Sequence, residues 1–268
     1  MRAALLSDIH GNILALEAVL DDIQARGGVD EYWVLGDIVA LGPMPIPVLE
    51  RLHGLPTVRY VRGNTDRYVV TGERPFPSPE QVKANNHLLP RILEVTNGFS
   101  WTQGAITSHG WFPFLAALPL EMRVVLPNGT RFLGVHASPG NDDGQGVDPS
   151  LTPAELRTML ANCEADLVCV GHTHWPADLQ ISDIRVVNLG SVSNPRTPNL
   201  KASYVILDAN EDRYQLSHHA IAYDHQQVIE QLKEVNHPAE QFISRHFRGE
   251  FIPKEWGEPK NIATRLSR

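Results

Sequence analysis

Apolar residues in this chain gather into short unbroken runs, and five of these runs end on polar side chains. Ala3-Ala4-Leu5-Leu6 leads into Asp8-Ile9-His10, and Tyr32-Trp33-Val34-Leu35 into Gly36-Asp37. Residues 58–61 lead into Gly63-Asn64, Phe132-Leu133-Gly134-Val135 into His136, and Leu167-Val168-Cys169-Val170 into Gly171-His172-Thr173-His174. Runs of this length without alternation read as strands buried on both faces. After the first run the period changes: Ile13, Leu16, Leu20 and Ile23 recur at helix spacing until Gly27-Gly28 stops them. A loop marked by Pro43, Pro45 and Pro47 and a short helix at about 48–52 precede the third strand. This repeated βαβ rhythm predicts parallel strands with right-handed crossovers. Ligands in open α/β sheets sit just past the carboxyl ends of strands. The five runs are therefore expected to bring their polar ends to one edge of one sheet.

From about residue 68 to 120 the rhythm breaks. Pro75, Pro77 and Pro79 open a segment with one helical stretch at 80–96 and an aromatic-rich one at 101–118. This reads as a helical cap inserted between strands three and four, either a lid or plain packing on the sheet edge. Strands at 123–126 and 130–135 follow, joined by the hairpin signal Pro127-Asn128-Gly129. A helix near 153–161, strands near 184–189, 202–207 and 214–220, and a helix near 226–234 complete the pattern. The main domain is expected to span 1–235, with 236–268 a C-terminal extension ending in a loose tail.

Composition narrows the classes. A chain of 268 residues suits one large domain or one domain with an insertion. The net charge is −8, with no long run of either sign. No basic stripe offers itself to extended nucleic acid, whereas a small anionic substrate stays compatible because bound cations reverse the local field. The two cysteines, Cys163 and Cys169, read as buried reduced thiols rather than a disulfide framework. The first strand meets Asp8 too early for a signal-peptide core, and no apolar run is long enough to span a membrane. A cytoplasmic protein without a membrane partner is expected.

The ends of the runs carry the chemistry. Each motif alone is weak: Gly-Asn usually marks a turn, and a lone His136 is as well explained by a hydrogen-bonded core. Taken jointly and in order, Asp8, His10, Asp37, Asn64, His136, His172 and His174 read as a metal site for two ions. Two histidines one residue apart at a strand end, His172 and His174, can face the same way. Imidazole favours Mn, Fe, Co, Ni or Zn over Mg or Ca. An aspartate can bridge two cations about 3.5–4 Å apart, and Asp37, central in the series, is the expected bridge. Two cations lower the pKa of a shared water, so the hydroxide needs no serine or cysteine nucleophile, and the pair clamps phosphate oxygens.

SDIHGN, GDIV, GNTD, GVH and GHTH resemble the ordered motifs of the calcineurin-like metallophosphoesterases, and GDIVALGPMPIPVLERL and NLGSVSNPR look like their bacterial and archaeal predicted-phosphodiesterase branch. The resemblance covers roughly residues 1–208. It implies an α/β fold, a four-layer α/β/β/α sandwich of two mixed sheets, here with the inserted cap. It also implies a hydrolase acting on small phosphodiesters, cyclic or short nucleotide diesters among them, with two divalent transition-metal ions, Mn favoured. By position Asp8, His10, Asp37 and His174 would hold one ion, and Asp37, Asn64, His136 and His172 the other. One departure stands out: Thr65 occupies the place of a histidine that the family often assigns to leaving-group protonation or phosphate contact. Thr65 cannot act as an acid near neutral pH, and Asp66, which would orient that histidine, loses its usual partner. General-acid help is typically worth about 10²–10⁴-fold, so substrates with good leaving groups are expected, or another proton donor, with His87 and His109 in the cap as candidates. Asn12 and Arg196 join Asp66 as weaker catalytic candidates: Asn12 either donates to a phosphate oxygen or stabilises its loop, and Arg196 either meets an anion or forms a structural salt bridge. Competing readings are a non-catalytic metal-binding scaffold, as in the retromer subunit of this fold, and a phosphomonoesterase or protein phosphatase. The cap aromatics Trp101, Trp111, Phe112 and Phe114 can stack a base, seal a homo-oligomer or form the core of the cap.

Overall fold

A computed structural model describes residues 1–74 and 78–252. Pro75, Pro77 and the end of the C-terminal extension lie outside the described residues. The expected βαβ rhythm is realised in β1 (Arg2–Leu6), α1 (Ile13–Ala25), β2 (Glu31–Leu35), α2 (Pro45–His53) and β3 (Val58–Val61), whose strands pair in parallel. Two late strands, β9 (Ala202–Ala209) and β10 (Tyr214–Ile221), add to β1 antiparallel and complete a sheet of order β10-β9-β1-β2-β3. A second sheet has the order β4-β5-β6-β8-β7, from β4 (Glu121–Val125), β5 (Arg131–Val135), β6 (Leu167–Val170), β7 (Ala177–Ile181) and β8 (Ile184–Asn188). β5, β6 and β8 run parallel, with β4 and β7 antiparallel at the edges.

Successive side chains of a strand point to opposite faces, and each face here is buried against something different. Ala3 and Leu5 of β1 join Trp33, Leu35, Phe132, Leu167 and Cys169 in the core between the sheets. Ala4 and Leu6 join the buried stripe of α1, Ala15, Leu16, Val19, Leu20 and Ile23, in an outer core. On the far side, α7 (Pro153–Met159) contributes Leu156 to a third core over β5 and β6. The result is the α/β/β/α sandwich. Cys163 and Cys169 are free and buried.

The insertion forms α3 (Asn64–Thr71), α4 (Pro79–Ala84), a 3₁₀ turn at Asn86–Leu88, α5 (Leu89–Ser108) and α6 (Phe112–Ala116). The boundary expected at 96–101 is instead at 85–89: Asn85 is extended, and Pro90 sits in the first turn of α5, where its missing N–H costs nothing. Val95, Phe99 and Ile106 of α5 extend the outer core over the first sheet. Phe114 packs edge-on against Tyr60 and Trp111, so these cap aromatics form packing. Pro45 likewise opens α2 rather than a loop.

Two elements escape the sequence pattern. β7 is a half-exposed edge strand with too few apolar residues to stand out. After α8 (His225–Glu234), the described part of the C-terminal extension holds a helix the pattern did not show: α9 (Glu240–Phe247) buries Phe242, Ile243 and Phe247 against Val228, Ile229 and Leu232 of α8, with Leu14 and Leu41 alongside. The apolar face of α9 spans barely two turns, too short to declare a helix from periodicity alone.

Candidate metal centre

All five polar run-ends converge, at the carboxyl edges of both sheets rather than of one. β1, β2 and β3 deliver Asp8, His10, Asp37 and Asn64 from the first sheet; β5 and β6 deliver His136, His172 and His174 from the second. The inter-sheet packing is therefore what assembles the site. Asp8 (φ 56°), His10 (49°), Asp37 (56°), His172 (68°) and His174 (62°) all adopt the left-handed conformation, uncommon for side-chain-bearing residues and enriched where function holds strain. Close approach demands glycine twice: a Cβ on Gly63 would stand 2.1 Å from Asp37 Oδ1, and one on Gly171 1.8 Å from Ser7 Oγ.

Two groups of side chains could each surround an ion: Asp8, His10 and His174, and Asp8, Asp37 and His136, all buried. Asp8 Oδ1 is common to both, 3.1 Å from His174 Nε2, 3.8 Å from His10 Nε2 and 3.9 Å from His136 Nε2. Asp37 reaches both as well, with Oδ2 3.7 Å from His10 Nε2 and Oδ1 3.4 Å from His136 Nε2. Asn64 Oδ1 lies 3.1 Å from His136 Nε2 and 3.0 Å from His172 Nδ1. His172 stands outside both groups and meets the centre through this oxygen.

The outer atoms fix which nitrogen faces inward. His10, His136 and His174 each place Nδ1 2.7–2.9 Å from a backbone carbonyl, of Ala40, Leu35 and Asn194 respectively. A carbonyl only accepts, so Nδ1 carries a proton and Nε2 is the nitrogen that faces inward, the arrangement of a metal-ligating histidine once Nε2 is free of its proton. His172 is turned the other way, Nε2 2.9 Å from Gly144 O, leaving Nδ1 inward. His10 Nε2 and His174 Nε2 then face each other at 3.3 Å, and a cation between them would take a lone pair from each. Asp8 Oδ2 accepts from Ser7 Oγ (2.5 Å) and His172 N (3.0 Å), whereas Oδ1 is buried and makes no hydrogen bond among the described residues. An orphaned buried carboxylate oxygen of this kind wants a positive partner. The donor set, imidazole nitrogens with carboxylate and amide oxygens, fits a divalent transition metal.

Charge follows the same geometry. At Asp8 and at Asp37 burial disfavours the carboxylate, but the surrounding histidines outweigh it and hold both below the usual range. Burial also disfavours the imidazolium of His136, yet Asp37 and Asp8 prevail and push its pKa up to about 10. Burial brings His10 down to about 4.

The remaining candidates separate. The Asp66 carboxylate accepts from the backbone N–H groups of Asp37, Ile38 and Gly63 (2.9, 2.9 and 3.0 Å), clamping the β2 and β3 loops together. It orients backbone here, and burial with Asp37 nearby raises its pKa to about 7. Thr65 gives its N–H to Asp37 Oδ1 (2.9 Å), and its buried hydroxyl has no hydrogen-bond partner among the described residues. Asn12 is fully buried, capping α1 through Ala15 N and donating to Ser193 Oγ, so it braces the site from outside. Arg196 borders the centre: its N–H reaches His174 O (3.4 Å), and its guanidinium forms no ion pair among the described residues. His87 and His109 are exposed on the cap, and His109 folds back on Ala105 O of its own helix. Neither touches the ligand set among the described residues. Arg67, with Arg62, engages Asp142 in a network beside the site. The sequence reading passed over Ser7, and it left Asn188 and Asn194 of NLGSVSNPR without a role. Asn188 Nδ2 donates to Gly171 O (2.7 Å), and Asn194 O orients His174.

A fold of two packed mixed sheets with this site belongs to a known class. Residues 1–212 match the model of the calcineurin-like phosphoesterase superfamily domain, and the chain belongs to that family. The family is metal-dependent, and its membership supports hydrolase activity. Among its relatives is an uncharacterized protein of Methanocaldococcus jannaschii, 29% identical over 85% of this chain and 90% of that one. A symmetrical bis(5'-nucleosyl)-tetraphosphatase of Erwinia tasmaniensis is 38% identical, but over 26% of each chain. The crystal structure of a metallophosphoesterase from Sphaerobacter thermophilus superposes with a TM-score of 0.70 at 25% identity, covering 93% of this chain and 99% of that chain. A hypothetical protein from Pyrococcus horikoshii OT3 shares the fold, with a TM-score of 0.75 at 21% identity over 92% and 97% of the two chains. Among the described residues no helix is long and apolar enough to cross a membrane.

Proposed function

We propose that this protein is a two-metal phosphoesterase that hydrolyses small phosphodiesters, with Mn the favoured ion and the reducing cytoplasm its setting. The observation that carries the reading is the pair of buried ligand groups meeting at Asp8, whose Oδ1 makes no hydrogen bond among the described residues and faces the inward Nε2 atoms of His174, His10 and His136. Asp8, His10, Asp37 and His174 would hold one ion, and Asp37, Asn64, His136 and His172 the other. Bound there, the ions would supply Lewis acidity to phosphoryl oxygens and an activated water nucleophile.

The chain's own residues perform the rest. The carbonyls of Ala40, Leu35 and Asn194 keep three imidazoles in the ligating tautomer. The Asp66 clamp holds Asp37 and Asn64 in register. Burial of the ligands excludes bulk water and strengthens each electrostatic contact. Thr65 gives no proton to the leaving group, which favours esters of acidic alcohols.

The test is hydrolysis of an activated diester and its matching monoester by metal-stripped protein refilled with Mn, beside His172→Ala. Turnover that requires metal and falls at least about 10³-fold in the variant supports the reading, in the range expected for loss of a catalytic contact. The diester-to-monoester ratio selects the substrate class. Full metal occupancy without turnover on either ester sinks the enzyme reading in favour of a binding scaffold.

A further inference from the structure

Of the four candidate histidines, His172 alone stands outside both buried groups, and it is held differently from the rest. Its Nε2 points away from the centre to Gly144 O (2.9 Å), and its Nδ1 to Asn64 Oδ1 (3.0 Å). Gly144 belongs to the loop that leaves β5 just after His136. This loop lies against the ring: Gly146 is left-handed (φ 66°), and a Cβ there would stand 2.7 Å from His172 Cδ2. One end of the loop is tied by reciprocal backbone bonds between Ser138 and Asn141 (3.1 and 2.9 Å). The other is tied at Val147 O, which accepts from Thr173 Oγ1 (2.9 Å) and Asn188 Nδ2 (2.8 Å).

The middle of the loop is fastened across the site to α3, the helix that follows β3 of the opposite sheet. Arg67 Nε reaches Asp142 Oδ1 (3.0 Å) and its Nη2 reaches Asp143 Oδ2 (2.9 Å), so one guanidinium spans two consecutive carboxylates. Arg62 Nε shares the buried Asp142 through Oδ2 (2.7 Å). The Tyr68 hydroxyl donates to Asp143, and the Arg67 guanidinium lies over the Tyr68 ring, 4.8 Å from its centre. Asp143 Oδ1 in turn accepts from the N–H of Gly144 (2.7 Å), the residue whose carbonyl meets His172. Arg62 and Arg67 flank Asn64 in the chain, so the same fastening holds both partners of the His172–Asn64 contact. A lone exposed ion pair contributes little. Here the fork of Arg67 is shared between two carboxylates, one of them buried and doubly engaged, and its effect is geometric. The carbonyl that accepts from a ligating imidazole sets the orientation and tautomer of the ring.

We infer that Arg67 and Asp143, braced by Tyr68, form a latch that positions His172 and Asn64 for the second ion. Both are positioning residues, acting on the ligands through Gly144 and α3. The inference rests on the two-metal reading of the centre. The first ion's histidines are braced by carbonyls outside this loop, His10 by Ala40 O and His174 by Asn194 O. The latch therefore bears on one ion of the two.

The probe is Mn, titrated calorimetrically into the metal-stripped full-length protein and into Asp143→Ala, Asp143→Asn and Arg67→Met. The control is Glu73→Gln, whose parent carboxylate pairs with Arg67 at the exposed surface. The wild type is expected to take up two ions. In Asp143→Ala and Arg67→Met one of them binds about 10–100-fold more weakly, the usual cost of losing an outer partner of a ligand, and the other within twofold of wild type. Asp143→Asn keeps an acceptor for Gly144 N and recovers part of the loss, and Glu73→Gln matches the wild type. At two equivalents of Mn, the electron paramagnetic resonance spectrum changes from that of a coupled pair in the wild type to that of uncoupled ions in Asp143→Ala. The Mn concentration needed for diester hydrolysis rises, while kcat at saturating Mn stays near wild type. Two ions bound with wild-type affinities by Asp143→Ala and Arg67→Met overturn the latch and leave the two-metal reading standing. Equal weakening of both ions also overturns it, since the loop then serves the fold at large. A wild type that takes up a single Mn removes the two-metal reading and the latch with it. Loss of one ion in the variants, with no ester cleaved even by the wild type, removes the phosphoesterase reading and leaves the latch standing.

Discussion

At the scale of single residues, the centre is held by side chains whose protons are already assigned. His10 is neutral at physiological pH and His136 is not, because Asp37 and Asp8 outweigh its burial and carry its pKa to about 10. A metal takes only the neutral imidazole. Uptake at pH 7–8 is therefore expected to expel about one proton from His136, and affinity to rise with pH until that value is passed. Calorimetry in buffers of different ionisation enthalpy reads the proton directly, and His136→Asn should abolish its share. The sign for stability is the reverse: a raised histidine stabilises the metal-free fold fully below its ordinary value of 6.5, and that contribution is lost as pH climbs towards 10. Proton-neutral uptake by the wild type would contradict the charge state assigned to His136. Asp66 shows how a residue retains a structural role at a motif that lacks its usual histidine. With Thr65 beside it, its carboxylate still ties three backbone donors, so its place in the chain follows from loop geometry.

At the scale of elements, the insertion and the C-terminal helices matter more than their sequence signals suggest. α5 continues the helical layer over the first sheet, and Trp101 packs on His237, 4.6 Å between centroids, joining the cap to the α8–α9 turn. Phe242 is the hinge of this contact: it is nearly buried, takes Glu94 at its N–H and lies under Arg91. Phe242→Ala is expected to cost about 3–5 kcal/mol in urea unfolding, the range for truncating a buried aromatic. A change below 0.5 kcal/mol would show that α9 is not packed as described. The helices α1 and α7 begin where the sequence pattern put them, and the structure supplies the local reason: Asn12 caps α1, and Thr152 with Glu155 forms a capping box at α7. The junction near residue 85 and helix α9 were not, because both depend on which neighbour covers a short apolar face.

At the scale of the whole molecule, two sheets contribute to one centre, and anything that binds between them binds only the folded state. Mn at 100 times its dissociation constant is expected to stabilise the protein by about 2.7 kcal/mol, more for two ions, with reversal by chelator. Thermal unfolding across a metal titration measures it. A midpoint indifferent to every divalent transition metal would count against a preformed centre. The hydrogen bond from His172 N to Asp8 Oδ2 and the one from His136 Nδ1 to Leu35 O cross from one sheet to the other, which is why occupancy and fold should be coupled.

The sequence by itself determined the strands of the five apolar runs, since such runs have one stable fate, and it marked the seven polar residues at their ends as ligand candidates, five of which stand in the two clusters that could hold an ion. It also carried the family, through motifs whose order along the chain leaves little freedom. Tertiary structure alone decided that the ligand candidates come from two sheets, that Asp8 stands in both groups, that Asn12 and Asp66 brace rather than face the centre, and that α9 packs on α8. The physical reason is range. Periodicity, capping and turn chemistry act over a few neighbours and are written locally, whereas the partner of a buried carboxylate oxygen or an imidazole nitrogen is fixed only when segments more than a hundred residues apart pack together.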